Sequence, residues 1–494
     1  MSRHRQRPLR RIAGAFILIS IALAATAQEK KLLSFDQIFR NGEPRLTKIL
    51  PAVAGWTDDD HFVETAQGEG PARLGGSFLV EARTGKRVPY RDMEQYRTIV
   101  GEGIEPGNPA SSDESYTHLL YARDGELFLL DTRTKEFRRL TESRAERKNP
   151  TFSPDGKYVA FTRDNNLCAI EIASGKEIQY THDGSDVVYN GWASWLYYEE
   201  ILGRASRYRA FWWSPDGSRL AFFRFDDSRV PVFPLFNSAG QHGLPETQHY
   251  PEAGDPNPEV RIGVVPAAGG DVVWSDFDAK GDQYFGRPFW APGGASLWVQ
   301  WMNRRQDTLD VYAVDPLTGR KKIVFRESQA SWVEWLEAVH FLSDGFIIRS
   351  DRDGWMHLYL YDAGGNLKRR LTQGKWTVGE VQAVDERSGT VFFTAKKESS
   401  LRTDLYSVNL DGSGLKRLTF GAFTHAVRVS PAGKYFVTTY SNVTNPPKMA
   451  LCTGDGKLVR EIGDSREPAF NDYTLGKTEL FTIRTQDGYE EIVS

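Results

Sequence analysis

Two adjacent glutamates, Glu199 and Glu200, have the residue types and spacing best suited to binding chemistry in this chain. A carboxylate binds a protonated amine through charge-assisted hydrogen bonds, and two carboxylates in a cavity can hold one ammonium between them. Trp195, Tyr198 and Leu202 follow the i, i+3, i+7 spacing of one helical face, which predicts a short helix anchored on apolar surface. Because successive residues of an α-helix point about 100° apart, the alternative is two solvated glutamates that share no partner.

No catalytic residue and no metal or other cofactor is predicted. The nine histidines are scattered and lack the spacing of a metal site. The sequence contains no Gly-x-Ser-x-Gly, the sharp turn that exposes a nucleophilic serine. Gly191-Trp192-Ala193-Ser194 resembles it only superficially, because it has one residue too many before the serine and no following glycine. Acyl transfer needs an activated nucleophile, a base and an oxyanion hole, and these residues do not supply them.

The elements that must position the glutamates come from a repeated pattern. A turn containing proline and glycine precedes an apolar strand, since proline presets φ and glycine accepts positive φ. Its copies begin at Ser153-Pro154, Ser214-Pro215, Ala291-Pro292 and Ser430-Pro431. A second motif is an apolar strand ending in Asp or Asn, as in Leu127–Asp131, Val311–Asp315, Leu358–Asp362 and Leu405–Asn409. A third is Arg-Leu-Thr, at Arg139-Leu140-Thr141, Arg370-Leu371-Thr372 and Arg417-Leu418-Thr419.

A period of roughly 40 to 60 residues for such strand units is typical of β-propeller blades. We therefore predict an all-β fold, an eight-bladed β-propeller with a short helical insert. A seven-bladed ring is the alternative, because the first unit is degenerate. The predicted blades lie near 52–90, 116–141, 150–182, 210–275, 285–326, 337–373, 380–419 and 424–463. Residues 183–209 and 229–262 break the pattern, and long excursions from a compact array are usually functional or disordered.

The first 27 residues have the pattern of an export signal. Five arginines precede an apolar run, Ile12–Ala24, and Ala25-Thr26-Ala27 reads as a cleavage site. We therefore expect a periplasmic or secreted protein without a stable membrane span, with an uncleaved anchor as the alternative. Removing residues 1–27 removes no acidic residue and leaves 57 basic against 65 acidic residues, a formal charge of −8. Such a chain, without basic clusters, is a poor candidate for nucleic-acid binding. Cys168 and Cys452 are predicted to be buried free thiols.

Several motifs together resemble the dipeptidyl peptidase IV branch of the prolyl oligopeptidase family of serine peptidases, over about residues 30–490. They are Tyr189-Asn190-Gly191, Trp195-Leu196-Tyr197-Tyr198-Glu199-Glu200, Trp212–Gly217, Val230-Pro231, Tyr250–Val260 and Ser350–Tyr359.

In that family an eight-bladed propeller caps an α/β-hydrolase domain, and a double glutamate holds the free N-terminal ammonium of the substrate. The resemblance implies that Glu199 and Glu200 bind this ammonium and that Trp195 and Tyr198 support them. It implies release of N-terminal dipeptides with proline or alanine at the second position. This chain departs from the pattern at Tyr198, where relatives often carry a third acid. Arg144 and Arg147 are the candidates for the arginine that contacts the substrate carbonyl.

After the signal peptide (1–27), the resemblance divides the chain into a propeller (28–475) and a stub like the first strand of the hydrolase domain (476–494). The expectation is a substrate-recognition propeller that is inactive alone because the Ser-Asp-His domain is absent, as in a fragment, a frameshifted product or half of a split pair. Its expected partners are a peptide with a free N-terminus and a separate α/β-hydrolase domain or a second copy of the chain. The alternatives are a standalone peptide- or protein-binding propeller and a destabilised remnant.

Overall fold

A computed structural model describes residues 30–65, 77–142, 145–476, 478–488 and 490–493, and the chain divides into two compact units. The larger unit spans Ile49–Ser465, and the smaller combines the segments up to Lys48 and from Arg466 onward. The larger unit covers fewer residues than the predicted propeller, 28–475. The predicted signal peptide, 1–27, lies outside the described residues.

The larger unit is an eight-bladed β-propeller, which confirms the predicted all-β fold and blade number. Each blade is an antiparallel sheet built from one continuous stretch of chain. Blades 1 to 3 consist of β1 (Ala52–Trp56), β2 (His61–Thr65), β3 (Ser77–Glu81), β4 (Arg87–Arg91), β5 (Ser111–Ser112), β6 (His118–Arg123), β7 (Glu126–Asp131), β8 (Phe137–Arg139), β9 (Lys148–Phe152), β10 (Tyr158–Arg163), β11 (Asn166–Glu171) and β12 (Glu177–Gln179).

Blade 4 carries both predicted inserts. Its strands, with the separate hairpin β16–β17, are β13 (Val188–Asn190), β14 (Phe211–Trp213), β15 (Arg219–Asp226), β16 (Val232–Asn237), β17 (Leu244–His249), β18 (Glu259–Pro266) and β19 (Val273–Trp274). The hairpin accounts for most of the predicted excursion 229–262.

Blades 5 to 8 complete the ring. Their strands are β20 (Gln283–Phe285), β21 (Phe289–Trp290), β22 (Leu297–Asn303), β23 (Thr308–Val314), β24 (Lys321–Ser328), β25 (His340–Leu342), β26 (Gly345–Ser350), β27 (His357–Asp362), β28 (Leu367–Arg370), β29 (Thr377–Asp385), β30 (Thr390–Lys396), β31 (Asp404–Asn409), β32 (Lys416–Arg417), β33 (Thr424–Val429), β34 (Tyr435–Asn442), β35 (Asn445–Thr453) and β36 (Leu458–Asp464). The described helices are short: α1 (Phe35–Phe39), α2 (Met93–Val100), a π-helix (Tyr197–Ile201) and three 3₁₀ turns (Arg204–Ser206, Pro292–Gly294 and Pro468–Asp472).

The Arg-Leu-Thr motif has a local structural role. In blade 6, Leu371 is buried in the core shared with blade 7, and Thr372 Oγ1 accepts a hydrogen bond of 3.0 Å from the backbone N–H of Leu358. Blades 2 and 7 repeat the bond, from Leu127 N to Thr141 and from Leu405 N to Thr419. The motif therefore buries an apolar side chain and satisfies one buried backbone donor in each of these three blades.

Apolar cores lie between neighbouring blades, from blades 2 and 3 round to blades 8 and 1. Cys168 and Cys452 are buried in two of these cores as free thiols, as predicted. Next to blade 2, helix α2 packs Tyr96 and Val100 against the sheet. Burial of such large apolar faces is the main stabilising term of the ring, at about 25 cal/mol per Å² of apolar surface.

The ring closes between blades 8 and 1 through side chains and backbone contacts. Val53, Phe62 and Val80 of blade 1 share a core with Val437 and Met449 of blade 8. Polar contacts cross the same interface, including Trp56 Nε1 to Arg428 O, Lys434 Nζ to Asp60 Oδ1 and Arg460 Nε to Ala82 O.

The smaller unit joins the two ends of the described chain. Lys31 forms a parallel bridge with Tyr473, and Thr47 forms an antiparallel bridge with Arg466. Helix α1 begins with a capping box between Ser34 and Gln37. The predicted stub, 476–494, contains a two-stranded hairpin, β37 (Phe481–Arg484) and β38 (Glu490–Val493).

Candidate functional site

The segment 191–210, which carries both glutamates, interrupts the innermost strand of blade 4. Strands β13 and β14 both pair with β15 and together form one interrupted strand. The chain leaves the blade after β13 and re-enters it at β14. First strands of neighbouring blades contact one another, as β5 with β9 and β29 with β33, which makes this position the innermost of each blade. The two ends of the segment are tied together by hydrogen bonds from Ala193 N to Tyr208 O (2.8 Å) and from Ala210 N to Gly191 O (2.9 Å). The insert is thus a closed loop that starts from the innermost strand.

The Tyr-Asn-Gly motif fixes the point where the insert leaves the blade. Asn190 is fully buried, and its Nδ2 donates to Asp183 Oδ1 at 2.8 Å. Gly191 has φ +71°, and a Cβ there would lie 2.9 Å from Leu167 Cδ1. Only glycine fits this turn without strain or displacement of the neighbouring core. These residues therefore orient the insert.

The glutamates lie in a π-helix instead of the predicted α-helix. The helix spans Tyr197–Ile201, and its characteristic bond runs from Leu202 N to Tyr197 O at 2.7 Å. Isolated π-turns are rare and are frequent at functional sites. Of the three residues with the proposed i, i+3, i+7 spacing, only Tyr198 lies within the π-helix: Trp195 precedes the helix and Leu202 caps it.

Tyr197 anchors the insert to the propeller. Its ring is fully buried between blades 4 and 5, with Phe225 at 4.8 Å between ring centroids. The buried hydroxyl accepts a hydrogen bond of 3.1 Å from Phe285 N, and burial raises the pKa of this phenol. Tyr197 was not predicted as a support; its aromatic type, directly before Tyr198 in the motif, is the signal that could have identified it.

Trp195 and Tyr198, the predicted supporting residues, belong to an aromatic cluster around the helix. The ring of Tyr198 stacks on Tyr208 with centroids 3.7 Å apart, and Tyr208 stacks on Trp192 at 4.7 Å. Trp195 meets Tyr198 edge-on at 5.8 Å and Tyr250, beyond the hairpin, at 6.5 Å. Burial, with the neighbouring Tyr198, raises the pKa of Tyr208 to about 12. These ring contacts, together with the buried Tyr197, leave the helix little freedom to turn.

The two carboxylates differ in their surroundings. The Glu199 side chain is 20% exposed, whereas Glu200 is exposed to solvent. Glu199 accepts hydrogen bonds from Arg204 Nε at both oxygens, 3.0 Å to Oε1 and 2.9 Å to Oε2, and a further one from Arg204 Nη2. This contact raises the pKa of Arg204. Glu200 has no hydrogen-bond or ion-pair partner among the described residues.

A buried acid ties the insert to the blade. Ser194 Oγ donates a hydrogen bond of 3.0 Å to Asp227 Oδ2, and Asp227 is 0% exposed. Burial raises the pKa of Asp227 to about 7, against the opposing effects of Ser194 and His249. The two residues are 33 positions apart, so the sequence carried no signal for the contact.

Arg147, a candidate for contacting a substrate carbonyl, is a structural residue as placed. Its side chain is 2% exposed and its Nη2 donates to Glu177 Oε2 at 3.0 Å. Arg144, the other candidate, lies outside the described residues. Within the described part of the chain, no group of His, Cys, Asp and Glu has the arrangement of a metal site. None of the helices described is long and apolar enough to cross a membrane.

Comparison with known proteins decides the family. The family model for the dipeptidyl peptidase IV N-terminal region matches residues 112–447, more than half of the chain. The chain belongs to the dipeptidyl peptidase IV family. Dipeptidyl peptidase relatives from fungi are similar over most of its length: "Probable dipeptidyl-aminopeptidase B" of Emericella nidulans is 32% identical over 375 residues, and "Probable dipeptidyl peptidase 4" of Aspergillus fumigatus 28% identical over 391.

The match is to the propeller region of dipeptidyl peptidase IV proteins. The aligned regions cover 68% and 74% of this chain but 41% and 50% of those two relatives, so the chain spans about half their length or less. The crystal structure of Porphyromonas gingivalis dipeptidyl peptidase 4 superposes with a TM-score of 0.78 at 26% identity. That match covers 94% of this chain and 67% of the other. The chain is therefore a dipeptidyl peptidase family propeller.

Proposed function

We propose that this propeller recognises the free N-terminus of a peptide through Glu199 and Glu200 and serves a dipeptidyl peptidase activity. The whole activity would be release of N-terminal dipeptides with proline or alanine at the second position, carried out with an α/β-hydrolase domain that supplies the catalytic serine. The names of the relatives support this reaction class. A periplasmic or secreted location is part of the proposal, because the first 27 residues read as an export signal.

The observation that carries the proposal is the placement of two adjacent carboxylates on a braced insert of an innermost strand. The buried Tyr197 and the Tyr198–Tyr208 stack hold the π-helix. Glu200 remains exposed, so an ammonium can reach it without unfolding the insert. A carboxylate held in place in this way binds an ammonium with little ordering cost, which favours selective recognition of a charged terminus.

The test is a binding titration with two versions of one Ala-Pro peptide, one with a free amine and one N-acetylated. We expect the purified chain to bind the free-amine peptide more tightly. The Glu199→Gln/Glu200→Gln double variant should lose at least about tenfold in affinity for it, because charge-assisted hydrogen bonds contribute about 1.5–3 kcal/mol each. Glu252→Gln, an exposed glutamate in the 229–262 excursion, is the matched control. Equal binding of both peptides, or equal loss for both in the double variant, would refute an amine site.

The proposal assigns binding, and not bond cleavage, to the residues present. The sequence has no Gly-x-Ser-x-Gly turn. We therefore expect no release of chromophore from a Gly-Pro chromogenic dipeptide by the purified chain. Turnover that a serine-directed inhibitor abolishes would contradict this part of the proposal.

A further inference from the structure

Arg204 covers the less exposed of the two carboxylates. Its guanidinium contacts both oxygens of Glu199, with Nε at 3.0 Å from Oε1 and 2.9 Å from Oε2. The Arg204 side chain is 70% exposed, while that of Glu199 is 20% exposed. Gly203, with φ +76°, turns the chain so that the fifth residue after Glu199 reaches back over it. The contact therefore lies between the carboxylate and solvent.

The charges of the site then match a single ammonium. Glu199 and Glu200 bring two negative charges, and Arg204 brings one positive charge, which leaves one negative charge. Glu199 has both oxygens engaged with the guanidinium, whereas Glu200 is exposed and has no described partner. The two glutamates are thus inequivalent before any ligand arrives.

We propose that Arg204 is an internal competitor for the ammonium site, an inference that rests on the proposed function. In the free chain the guanidinium occupies Glu199, so an incoming ammonium pairs first with Glu200. It gains Glu199 only to the extent that Arg204 swings into solvent. Since exposed ion pairs are weak and screened by salt, Arg204 lowers the affinity for amines without closing the site.

The first test replaces Arg204 with glutamine and measures the affinity for the free-amine Ala-Pro peptide. Because an exposed pair of this kind shifts an equilibrium by at most about fivefold, we expect the dissociation constant to fall about two- to fivefold. Arg204→Lys, which keeps the charge but loses the two-pronged contact, should lie between wild type and Arg204→Gln. If Arg204 instead supported the insert, its replacement would weaken binding. A rise in the dissociation constant would therefore overturn the inference.

Arg207→Gln is the matched control, because Arg207 is an exposed arginine of the same insert and its replacement removes the same charge. An equal gain in affinity from Arg207→Gln would show that net charge, and not the contact with Glu199, sets the affinity, and would also overturn the inference. The gain should shrink at high salt, where the Debye length is only about 3 Å at 1 M.

A double-mutant comparison separates this inference from the proposed function. With Arg204 present, Glu200→Gln should weaken binding of the free-amine peptide more than Glu199→Gln does. In the Arg204→Gln background the two substitutions should have similar effects. If the glutamate variants weaken binding but Arg204→Gln changes nothing, the competitor role fails and the amine site stands. If the glutamate variants have no effect, both fail.

Discussion

Replacement of Asp227 by asparagine should change how stability depends on pH. Asp227 is completely buried, its Oδ2 accepts a hydrogen bond from Ser194, and its Oδ1 has no hydrogen-bond partner among the described residues. Burial raises its pKa from the usual 3.8 to about 7. At Asp227 the effect of burial outweighs the opposing effects of Ser194 and His249, so the protonated form is favoured, because ionisation there loses hydration that the protein does not replace.

The sign and size follow from the two pKa values. Below pH 3.8 both folded and unfolded chains hold the proton, so the group has no pH-dependent effect. Between pH 3.8 and 7 the unfolded chain ionises while the folded chain keeps its proton, which progressively stabilises the unfolded state. Above pH 7 the full cost is present, and a shift of about three pKa units corresponds to about 4 kcal/mol. Asparagine carries no such cost and keeps an oxygen for Ser194.

The measurement is the free energy of unfolding in urea, followed by tryptophan fluorescence, at pH 5 and pH 8. Relative to wild type, Asp227→Asn should gain about 2.5 kcal/mol between the two pH values. Asp226→Asn changes the neighbouring, half-buried acid and should show no comparable change. A difference between Asp227→Asn and wild type that is the same at both pH values would refute a neutral buried acid at this position.

Two further substitutions test the bracing of the insert and of the blades. Tyr197→Phe leaves the buried Phe285 N–H without its acceptor, so we expect a loss of about 1–3 kcal/mol in the free energy of unfolding, with weaker binding of the free-amine peptide. Unchanged stability would show that the hydroxyl is not needed there. Thr372→Val removes the acceptor of Leu358 N and should lower the urea midpoint by a similar free energy, while Thr372→Ser, which keeps the hydroxyl, should cost less. Equal effects of valine and serine would assign the loss to packing instead.

The blades could be predicted from sequence because their determinants are local. The Ser153 turn closes on itself, with Ser153 Oγ accepting from Tyr158 N at 2.9 Å, and Thr372 binds a backbone only 14 residues away. Such short-range patterns recur in several blades and so reveal the architecture. The split of the innermost strands of blades 4 and 5 into two segments each was not foreseen, because only pairing with the second strand defines it.

The candidate site was predictable in its residues but not in its geometry. The glutamate pair and its aromatic neighbours were found from spacing and resemblance. The π-turn was not predicted, since an i, i+3, i+7 pattern is the pattern of an ordinary α-helix. The Glu199–Arg204 contact spans five residues and depends on the positive φ of Gly203, which regular helical spacing does not suggest. Ser194 and Asp227 meet only through the fold. Whether Glu199 and Glu200 bind an ammonium stays a prediction.

The seam between blades 8 and 1 has a consequence for synthesis. The apolar face of Val53, Phe62 and Val80 finds its partners only when Val437 and Met449 have been made, about 370 residues after Val80. At about 5–20 residues per second, synthesis of these residues takes roughly 20 to 75 s, and the apolar face of blade 1 stays uncovered during that time. Throughout that interval, unpaired strands with an exposed apolar face can associate with other chains. Until the last blade has formed, this seam is therefore the part of the ring most prone to aggregation.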